Sequence, residues 1–140
     1  MRLSILIIVG LVLISLLASC GWVRDGVSPD AGSSVAIAFE QRKSDVQVEG
    51  EGVVTRVLSD DRQGSRHQRF IVRLDSGQTV LIQHNIDLAP RVAAIKEGDT
   101  VSFFGEYVWN DQGGLIHWTH HDPAGKHVAG WVKHKGQAYQ

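Results

Sequence analysis

The sequence predicts a mainly β protein whose strands close into a barrel. Runs of β-branched and aromatic residues recur between turn signals rich in Gly, Asp and Ser, which is typical of successive antiparallel strands. One stretch of helical periodicity, residues 88–96, follows the third of these runs. Three strands, a short helix and two more strands is the order of an OB-like, five-stranded Greek-key barrel. An open meander with a helix packed across it is the alternative.

The N-terminal segment predicts export. Arg2 precedes an almost unbroken apolar run over residues 3–17, and small residues lead to Cys20, as in a secretory signal peptide. The ending Leu17-Ala18-Ser19-Cys20 resembles the bacterial lipobox, in which the cysteine is lipidated. An uncleaved transmembrane anchor is the alternative, because the run approaches the ~20 residues of a membrane-spanning helix. Cys20 is the single cysteine of the chain, which favours lipidation.

The segment after Cys20 predicts a flexible tether over residues 20–34, because it is rich in Gly, Ser and Asp. Ser33 or Ser34 can cap a short helix over residues 35–41. We therefore expect a signal peptide over residues 1–19, the tether, and an OB-like barrel domain with a C-terminal extension over residues 35–140.

The first three strands are predicted from their composition. Residues 46–58 read as one strand, in which Gly50 and Gly52 favour a bulge or bend. The second strand has the clearest alternation, with Phe70, Val72 and Leu74 on one face and Arg69, Ile71 and Arg73 on the other. Residues 79–84 form the third strand.

The second half begins with the predicted helix. Asp87 can cap it, Leu88, Val92 and Ile95 form one apolar stripe, and Gly98 ends it. Strand four spans residues 100–109 and strand five residues 115–121, joined through Gly113-Gly114.

The C-terminal residues predict a small hairpin. Its strands are residues 128–134 and 137–139, its turn is Lys135-Gly136, and Trp131 anchors it on the barrel.

Composition and motifs exclude several functions. The formal net charge is −1, which argues against a general nucleic-acid binder because such proteins carry a strongly positive surface. The chain has no Gly-x-Ser-x-Gly nucleophile motif and no phosphate-binding glycine loop. The sequence therefore favours a protein that is not an enzyme.

The usual ligand surface of an OB-fold predicts the binding residues. That surface is the outer face of strands two and three with its flanking loops, and the polar and aromatic residues of the second hairpin add to it. The ligand-binding candidates are His67, Arg69, Arg73, Glu106, Trp109, His117 and Trp118. A solvated face with its charges balanced by aspartates is the alternative. If the face of Glu106 is inward, this carboxylate requires an Arg or His partner.

The histidines of strand five suggest a divalent-metal site. His120 and Asp122 share a face at the strand end, His84 lies at the end of strand three, and His127 is a possible fourth ligand. His117 and His121 are about 13 Å apart on an extended strand, too far to chelate together. The alternative is a hydrogen-bonded rim of histidines beside Trp118 and Thr119.

One run, His117-Trp118-Thr119-His120-His121-Asp122-Pro123, is the most distinctive motif of the chain, and it is accompanied by Gly64, His67–Val72, His84–Pro90, Gly105–Tyr107 and Trp109-Asn110. With these segments the chain resembles a small exported bacterial family known as domain of unknown function 3465. The likeness runs from Val35 to Gln140. The resemblance implies no established activity, substrate or cofactor. A fainter likeness to thermonuclease-type OB-folds is limited to topology.

These observations predict an envelope lipoprotein that faces the periplasm, tied to the membrane through Cys20. Gly21 after the cysteine favours the outer membrane by resemblance to lipoprotein sorting signals. The barrel would bind an unknown envelope ligand or protein. The alternative is a metal-dependent hydrolase of phosphodiesters that uses His84, His120 and Asp122 with Glu106 as base. A purely structural envelope protein is the third hypothesis.

Overall fold

The computed structural model describes residues 31–140, with side chains from Ser34 onward. The predicted signal peptide, Cys20 and residues 20–30 of the predicted tether lie outside the described residues. A helix, α1, spans Ala31–Glu40 and so begins within the stretch predicted as tether. Within residues 31–140, no helix is both long and apolar enough to cross a membrane.

Seven strands follow the helix. They are β1 (Val46–Asp61), β2 (His67–Leu74), β3 (Thr79–Asn85), β4 (Thr100–Val108), β5 (Leu115–His117), β6 (Trp131–His134) and β7 (Gln137–Tyr139).

Five of the strands form a closed ring in the order β1-β2-β3-β5-β4, because β4 also pairs with β1. The β3–β5 pair is parallel and the others are antiparallel. The prediction of a mainly β protein is confirmed. The predicted C-terminal hairpin is also confirmed, since β6 pairs with β4 and β7 pairs with β6. Its turn residues, Lys135 and Gly136, both have positive φ, as a tight hairpin turn requires.

Strand β1 closes the ring because its two halves pair with different neighbours. Residues 46–53 pair with β4, and residues 52–61 pair with β2. The register shifts of β1 lie between Val54 and Arg56 and between Leu58 and Asp61, so of the bulge or bend predicted at Gly50 and Gly52 the bulge is wrong. Gly52 instead permits a close approach, since a Cβ there would lie 2.3 Å from the carbonyl oxygen of Arg73.

The helix predicted over residues 88–96 is absent, and the segment between β3 and β4 is irregular. Side chains of the ring bind the backbone groups that a helix would use. The Gln68 amide accepts from the Val92 N–H (2.9 Å) and donates to the Val92 carbonyl (3.1 Å). Leu88 is 47% exposed whereas Val92 is buried, so the apolar stripe did not form. A side chain distant in sequence has overridden local periodicity.

The core lies inside the ring and under α1. The predicted alternation of β2 is confirmed, because Phe70, Val72 and Leu74 are buried. Val35 and Ala38 of α1 join the same core. The largest fully buried side chains are Tyr107, Phe70, Phe103, Ile82 and Ile116.

Strands β5 and β6 lie along the same edge of β4 and are separated by a loop. His117 stands opposite Glu106 and Trp131 opposite Phe104, so residues 118–130 leave the sheet opposite Gly105. We call residues 118–130 the excursion loop. Strand five was predicted to reach His121, but it ends at His117 because Trp118 adopts a φ of 52° that breaks the extended backbone.

Gly105 provides the space in which the excursion loop leaves and re-enters the sheet. A Cβ at this position would lie 2.5 Å from the carbonyl oxygen of His117 and 2.9 Å from Cγ2 of Thr119. At the other end of the loop, a Cβ on Gly130 would lie 2.1 Å from the carbonyl oxygen of Trp118. At both glycines the nearest atom is a backbone carbonyl oxygen, which yields less readily than a side chain.

We expect Gly105→Ala to lower the free energy of unfolding by about 2–3 kcal/mol, because the new methyl group forces backbone apart in a packed region. Urea unfolding of the full chain measures this loss. Gly64→Ala is the matched control: its site is open but has a φ of 73°, so only the backbone penalty of about 1 kcal/mol applies. Equal losses in the two variants would contradict the role assigned to Gly105.

Candidate functional site

A buried hydrogen-bonded pair joins the excursion loop to the interior. His84 is fully buried; its Nδ1 lies 2.9 Å from Oγ1 of Thr119 and its Nε2 lies 3.0 Å from the carbonyl oxygen of Pro90. Since a carbonyl only accepts, Nε2 donates to Pro90, and in the neutral ring the Thr119 hydroxyl donates to Nδ1. Both ring nitrogens are therefore held by hydrogen bonds.

The pKa of His84 lies below its ordinary value, chiefly because burial disfavours the charged ring. The backbone carbonyl groups of Pro90 and Thr119 raise the pKa, whereas the nearby imidazoles of His120 and His67 lower it further. Burial has the largest effect on the pKa of His84, which agrees with a neutral ring that makes structural hydrogen bonds.

The excursion loop is held in shape by its own polar groups. His120 is buried, donates from Nδ1 to the carbonyl oxygen of His121 (2.7 Å), and accepts at its own carbonyl from the N–H of Gly130 (3.0 Å). The Asp122 carboxylate accepts the N–H groups of Ala124, Lys126 and His127 at 2.9, 2.7 and 2.9 Å.

These N–H groups hold the pKa of Asp122 below its usual value, with the hydrogen bond from Ala124 as the largest cause. The carboxylate therefore stays ionised and acts as an internal cap for the turn that follows it.

The residues predicted as metal ligands do not form one ligand set. His84, His120 and Asp122 are each engaged in the contacts above, and His127 faces Glu106. No group of three or more His, Cys, Asp or Glu in residues 31–140 is placed to hold a metal ion. The contacts agree instead with the hydrogen-bonded rim beside Trp118 and Thr119.

On the outside of the ring, one carboxylate stands between two imidazoles. His117 Nε2 lies 3.0 Å from Oε1 of Glu106, and His127 Nε2 lies 3.4 Å from Oε2. Glu106 is on the outer face of β4, because Gly105 and Tyr107 take the inward positions. It is therefore not the inward-facing carboxylate that the sequence allowed, although its partners are histidines.

Two further residues complete this arrangement. Gln47 of β1 is the register partner of Glu106, which in turn is the register partner of His117. Trp118 stacks on His127, with ring centroids 3.8 Å apart and planes 6° from parallel. We define the outer-face cluster as Gln47, Glu106, His117, Trp118 and His127.

The outer-face cluster contains two buried polar atoms without a hydrogen-bond partner, Gln47 Oε1 and His127 Nδ1. Since His127 Nε2 faces a carboxylate, the proton of a neutral ring sits there and Nδ1 is an acceptor. Two acceptors that flank Glu106 therefore lack donors. Native proteins rarely leave such atoms unpaired, because each costs about 1–3 kcal/mol.

The remaining ligand candidates make other contacts. Arg69 donates from Nε to the carbonyl oxygen of Ser59 (3.0 Å), Arg73 is exposed on β2, and His67 pairs in register with Asn85. Trp109 packs on the helix: its ring lies 6.5 Å from that of Phe39, with the Arg42 guanidinium 5.3 Å above it. Trp109 therefore holds α1 against the ring.

A groove lies on the outer face of β2 and β3, where the sequence predicted ligand binding. It is lined by Ile71 and Leu81 from these strands and by Asn110 and Gln112 of the flanking loop that was predicted to border it, but by none of the seven ligand-binding candidates. Its volume of about 180 Å³ is small beside the ~300–1,000 Å³ of typical ligand pockets.

A larger cleft, of about 440 Å³, was missed by the sequence reasoning. It extends from the outer face of β1, β4 and β6 to the turn between β6 and β7. Its lining residues are Glu51, Asp99, Thr100, Ser102, Lys133, His134, Lys135 and Gly136. The alternation of β6 could have indicated that His134 is buried, but its partner depends on strand register.

The partner of His134 is Asp99, whose Oδ2 lies 3.0 Å from Nε2 of the buried ring. Burial favours the neutral carboxyl, yet the N–H of Lys96, the ring of His134 and the ammonium of Lys135 together hold the pKa of Asp99 below its usual value. This carboxylate stays charged at one wall of the cleft.

The fold and the cluster define a small, mainly β protein built on a closed ring of five strands, with polar sites on its outer face. The family described as "Protein of unknown function (DUF3465)" matches residues 16–140, and the chain belongs to this family. The resemblance stated from the sequence is thus confirmed. No curated protein matches the chain.

We expect the free energy of unfolding to fall as the pH drops below 6.5, the ordinary pKa of His84. The unfolded chain takes up this proton more readily than the folded one, so stability is full above pH 6.5 and declines toward the lower folded pKa. The contribution of His84 is at most about 1.4 kcal/mol per pH unit.

Urea unfolding at pH 7.5 and 5.5 measures this slope. His84→Gln, which keeps a donor and an acceptor but does not titrate, should flatten the slope. His121→Gln, at an exposed histidine, is the control and should leave the slope unchanged. A slope that is the same in His84→Gln as in the natural chain would show that His84 does not cause the acid sensitivity.

Proposed function

We propose that this chain is a bacterial envelope lipoprotein, anchored through a lipid on Cys20, whose OB-like barrel is a binding module. The lipobox-like ending of the apolar N-terminal run supports the anchor. The closed strand order β1-β2-β3-β5-β4 supports the OB-like assignment. In this proposal the barrel faces the periplasm, and Gly21 after the cysteine favours the outer membrane.

The outer-face cluster is the proposed binding site, and one observation carries this choice. The Glu106 carboxylate lies between two imidazoles while two adjacent buried acceptors, Gln47 Oε1 and His127 Nδ1, have no donor. A ligand that supplies donors to these acceptors removes a cost that the free protein bears. Hydrogen bonds within the excursion loop hold Trp118 and His127 in place before binding, which lowers the entropy lost on association.

Binding fits the contacts better than hydrolysis does. The hydrolase alternative requires His84, His120 and Asp122 to share one ion, yet each is engaged in a separate structural contact. Glu106, its proposed base, is paired with His117 and His127 on the outer face. The alternative therefore draws no support from the positions of its own residues.

The anchor predicts that cells fed a labelled palmitate analogue incorporate the label into the full chain. Cys20→Ala should abolish incorporation, because it removes the sulfur that carries the lipid. Ser19→Ala, one residue away, is the control that should keep the label. Labelling that persists in Cys20→Ala would contradict lipidation at this residue.

The binding site predicts a ligand-linked rise in melting temperature. The full chain in detergent would be screened against four soluble probes: neutral oligosaccharides, muropeptides, glycerophosphate headgroups and oligolysine. At a probe concentration of 100 times Kd, binding adds about 2.7 kcal/mol of stability. We expect at least one probe to raise the melting temperature of the natural chain, and Glu106→Gln to remove the rise.

Asp75→Asn, an exposed carboxylate in the β2–β3 turn, is the matched control and should keep the rise. The proposed site would be wrong if no probe raised the melting temperature, or if Glu106→Gln responded like the natural chain.

A further inference from the structure

We propose that the outer face of β1, β4, β5 and β6 binds a linear, uncharged glycan along the strands. This inference rests on the proposed function, because the outer-face cluster forms one end of the site. The 440 Å³ cleft forms the other end. An aromatic pair, Phe104 and Trp131, lies between them.

Strand register places these three parts in a line. Gln47, Glu106 and His117 form the first row, and Phe104 with Trp131 belongs to the second. Glu51, Ser102 and Lys133 form the third row. Alternate residues of a strand share a face, and four residues of β4 separate the outer rows. At about 3.4 Å per residue, the rows are ~13 Å apart.

The middle row provides an aromatic platform. The rings of Phe104 and Trp131 lie 6.3 Å apart with planes 30° from parallel, and both side chains are half-buried. Sugar rings carry an apolar face of C–H groups that packs against aromatic rings. Such a pair therefore offers a pyranose ring an apolar surface with polar groups on either side.

The cleft provides donors and acceptors close together. Ser102 donates to Oε2 of Glu51 at 2.7 Å, and the Lys133 ammonium lies 4.0 Å above the ring of Trp131. A sugar hydroxyl donates one hydrogen bond and accepts two, so it can join a carboxylate to an ammonium. The cleft volume is in the range of small-molecule sites.

The cluster at the other end also favours hydroxyl groups. Its unpaired atoms, Gln47 Oε1 and His127 Nδ1, are both acceptors. A ligand rich in hydroxyl donors pairs with them without bringing a charge into a half-buried position.

The charged side chains of this face favour an uncharged ligand over an ionic one. Glu106 is paired with two histidines, Asp99 with His134 and Lys135, and Lys133 with the ring of Trp131. Because these charges already have partners, an ionic ligand must displace an existing contact. A polyphosphate strand would also meet Glu49 and Glu51 along β1. A neutral chain displaces none of the ion pairs and meets no repulsion from the two glutamates.

The experiment is calorimetric titration of the full chain in detergent with two tetrasaccharides, chitotetraose and cellotetraose. We expect at least one to bind, with a Kd that changes less than about twofold between 50 and 500 mM salt, because the ligand has no charge to screen. Trp131→Ala should weaken binding about five- to tenfold, and Trp131→Phe should recover most of the affinity.

Two more variants separate lost contacts from lost folding. Glu51→Gln, at an exposed position, should weaken binding while the melting temperature stays unchanged. Asp75→Asn should leave both unchanged. Failure of both tetrasaccharides to bind, or unchanged affinity in Trp131→Ala and Glu51→Gln, would overturn the inference. Binding of tetralysine that weakens steeply with salt would replace the glycan with a cationic peptide.

The result also distinguishes this inference from the proposed function. If another probe raises the melting temperature in a Glu106-dependent way while neither tetrasaccharide binds, the glycan inference fails and the binding module stands. If no probe binds at all, both fail.

Discussion

The close approach of two backbones at Gly105 is the constraint on which the candidate site depends. The edge of β4 pairs with β5 on one side of this residue and with β6 on the other. Only a residue without a side chain leaves room for the His117 carbonyl and the Thr119 methyl. The interruption in pairing therefore occurs here and not elsewhere along β4. It lets the excursion loop leave the sheet without opening the ring, because β5 has already joined β3 to β4.

The excursion loop connects the interior with the outer face through neighbouring residues. Thr119 turns inward to the neutral ring of His84, while Trp118 remains outside and stacks on His127. The positive φ of Trp118 directs these two side chains to opposite sides. Asp122 then folds the loop back, so that His127 meets Glu106. Buried structural contacts thus fix the positions of the exposed groups, which is how a small protein can keep a surface site rigid.

The errors of the sequence reasoning have physical causes. The apolar spacing of Leu88, Val92 and Ile95 predicted a helix, but the Gln68 amide binds both backbone groups of Val92, and no local pattern carries that information. The metal hypothesis assumed that strand five continues to Asp122. Once the strand ends at His117, its face relationships no longer hold. The pairing of Glu106 with His117 could have been predicted from the sequence. Both residues were ligand candidates, and only the register of the hairpin that joins them was unknown. The contact between His134 and Asp99 could not have been predicted, because it depends on the strand with which β6 pairs.

What the sequence determined by itself follows from short-range physics. Alternation along β2, β-branched runs and glycine-rich turns predicted a mainly β chain with a C-terminal hairpin, and the residues around His117–Pro123 indicated the family. Those features depend on neighbours a few residues apart. Tertiary structure decided the ring closure through β1, the loss of the middle helix and the meeting of Gln47, Glu106 and His127. Each of these joins residues far apart in the chain, so its free energy depends on the register of strands and the space at Gly105. Local sequence does not encode either quantity.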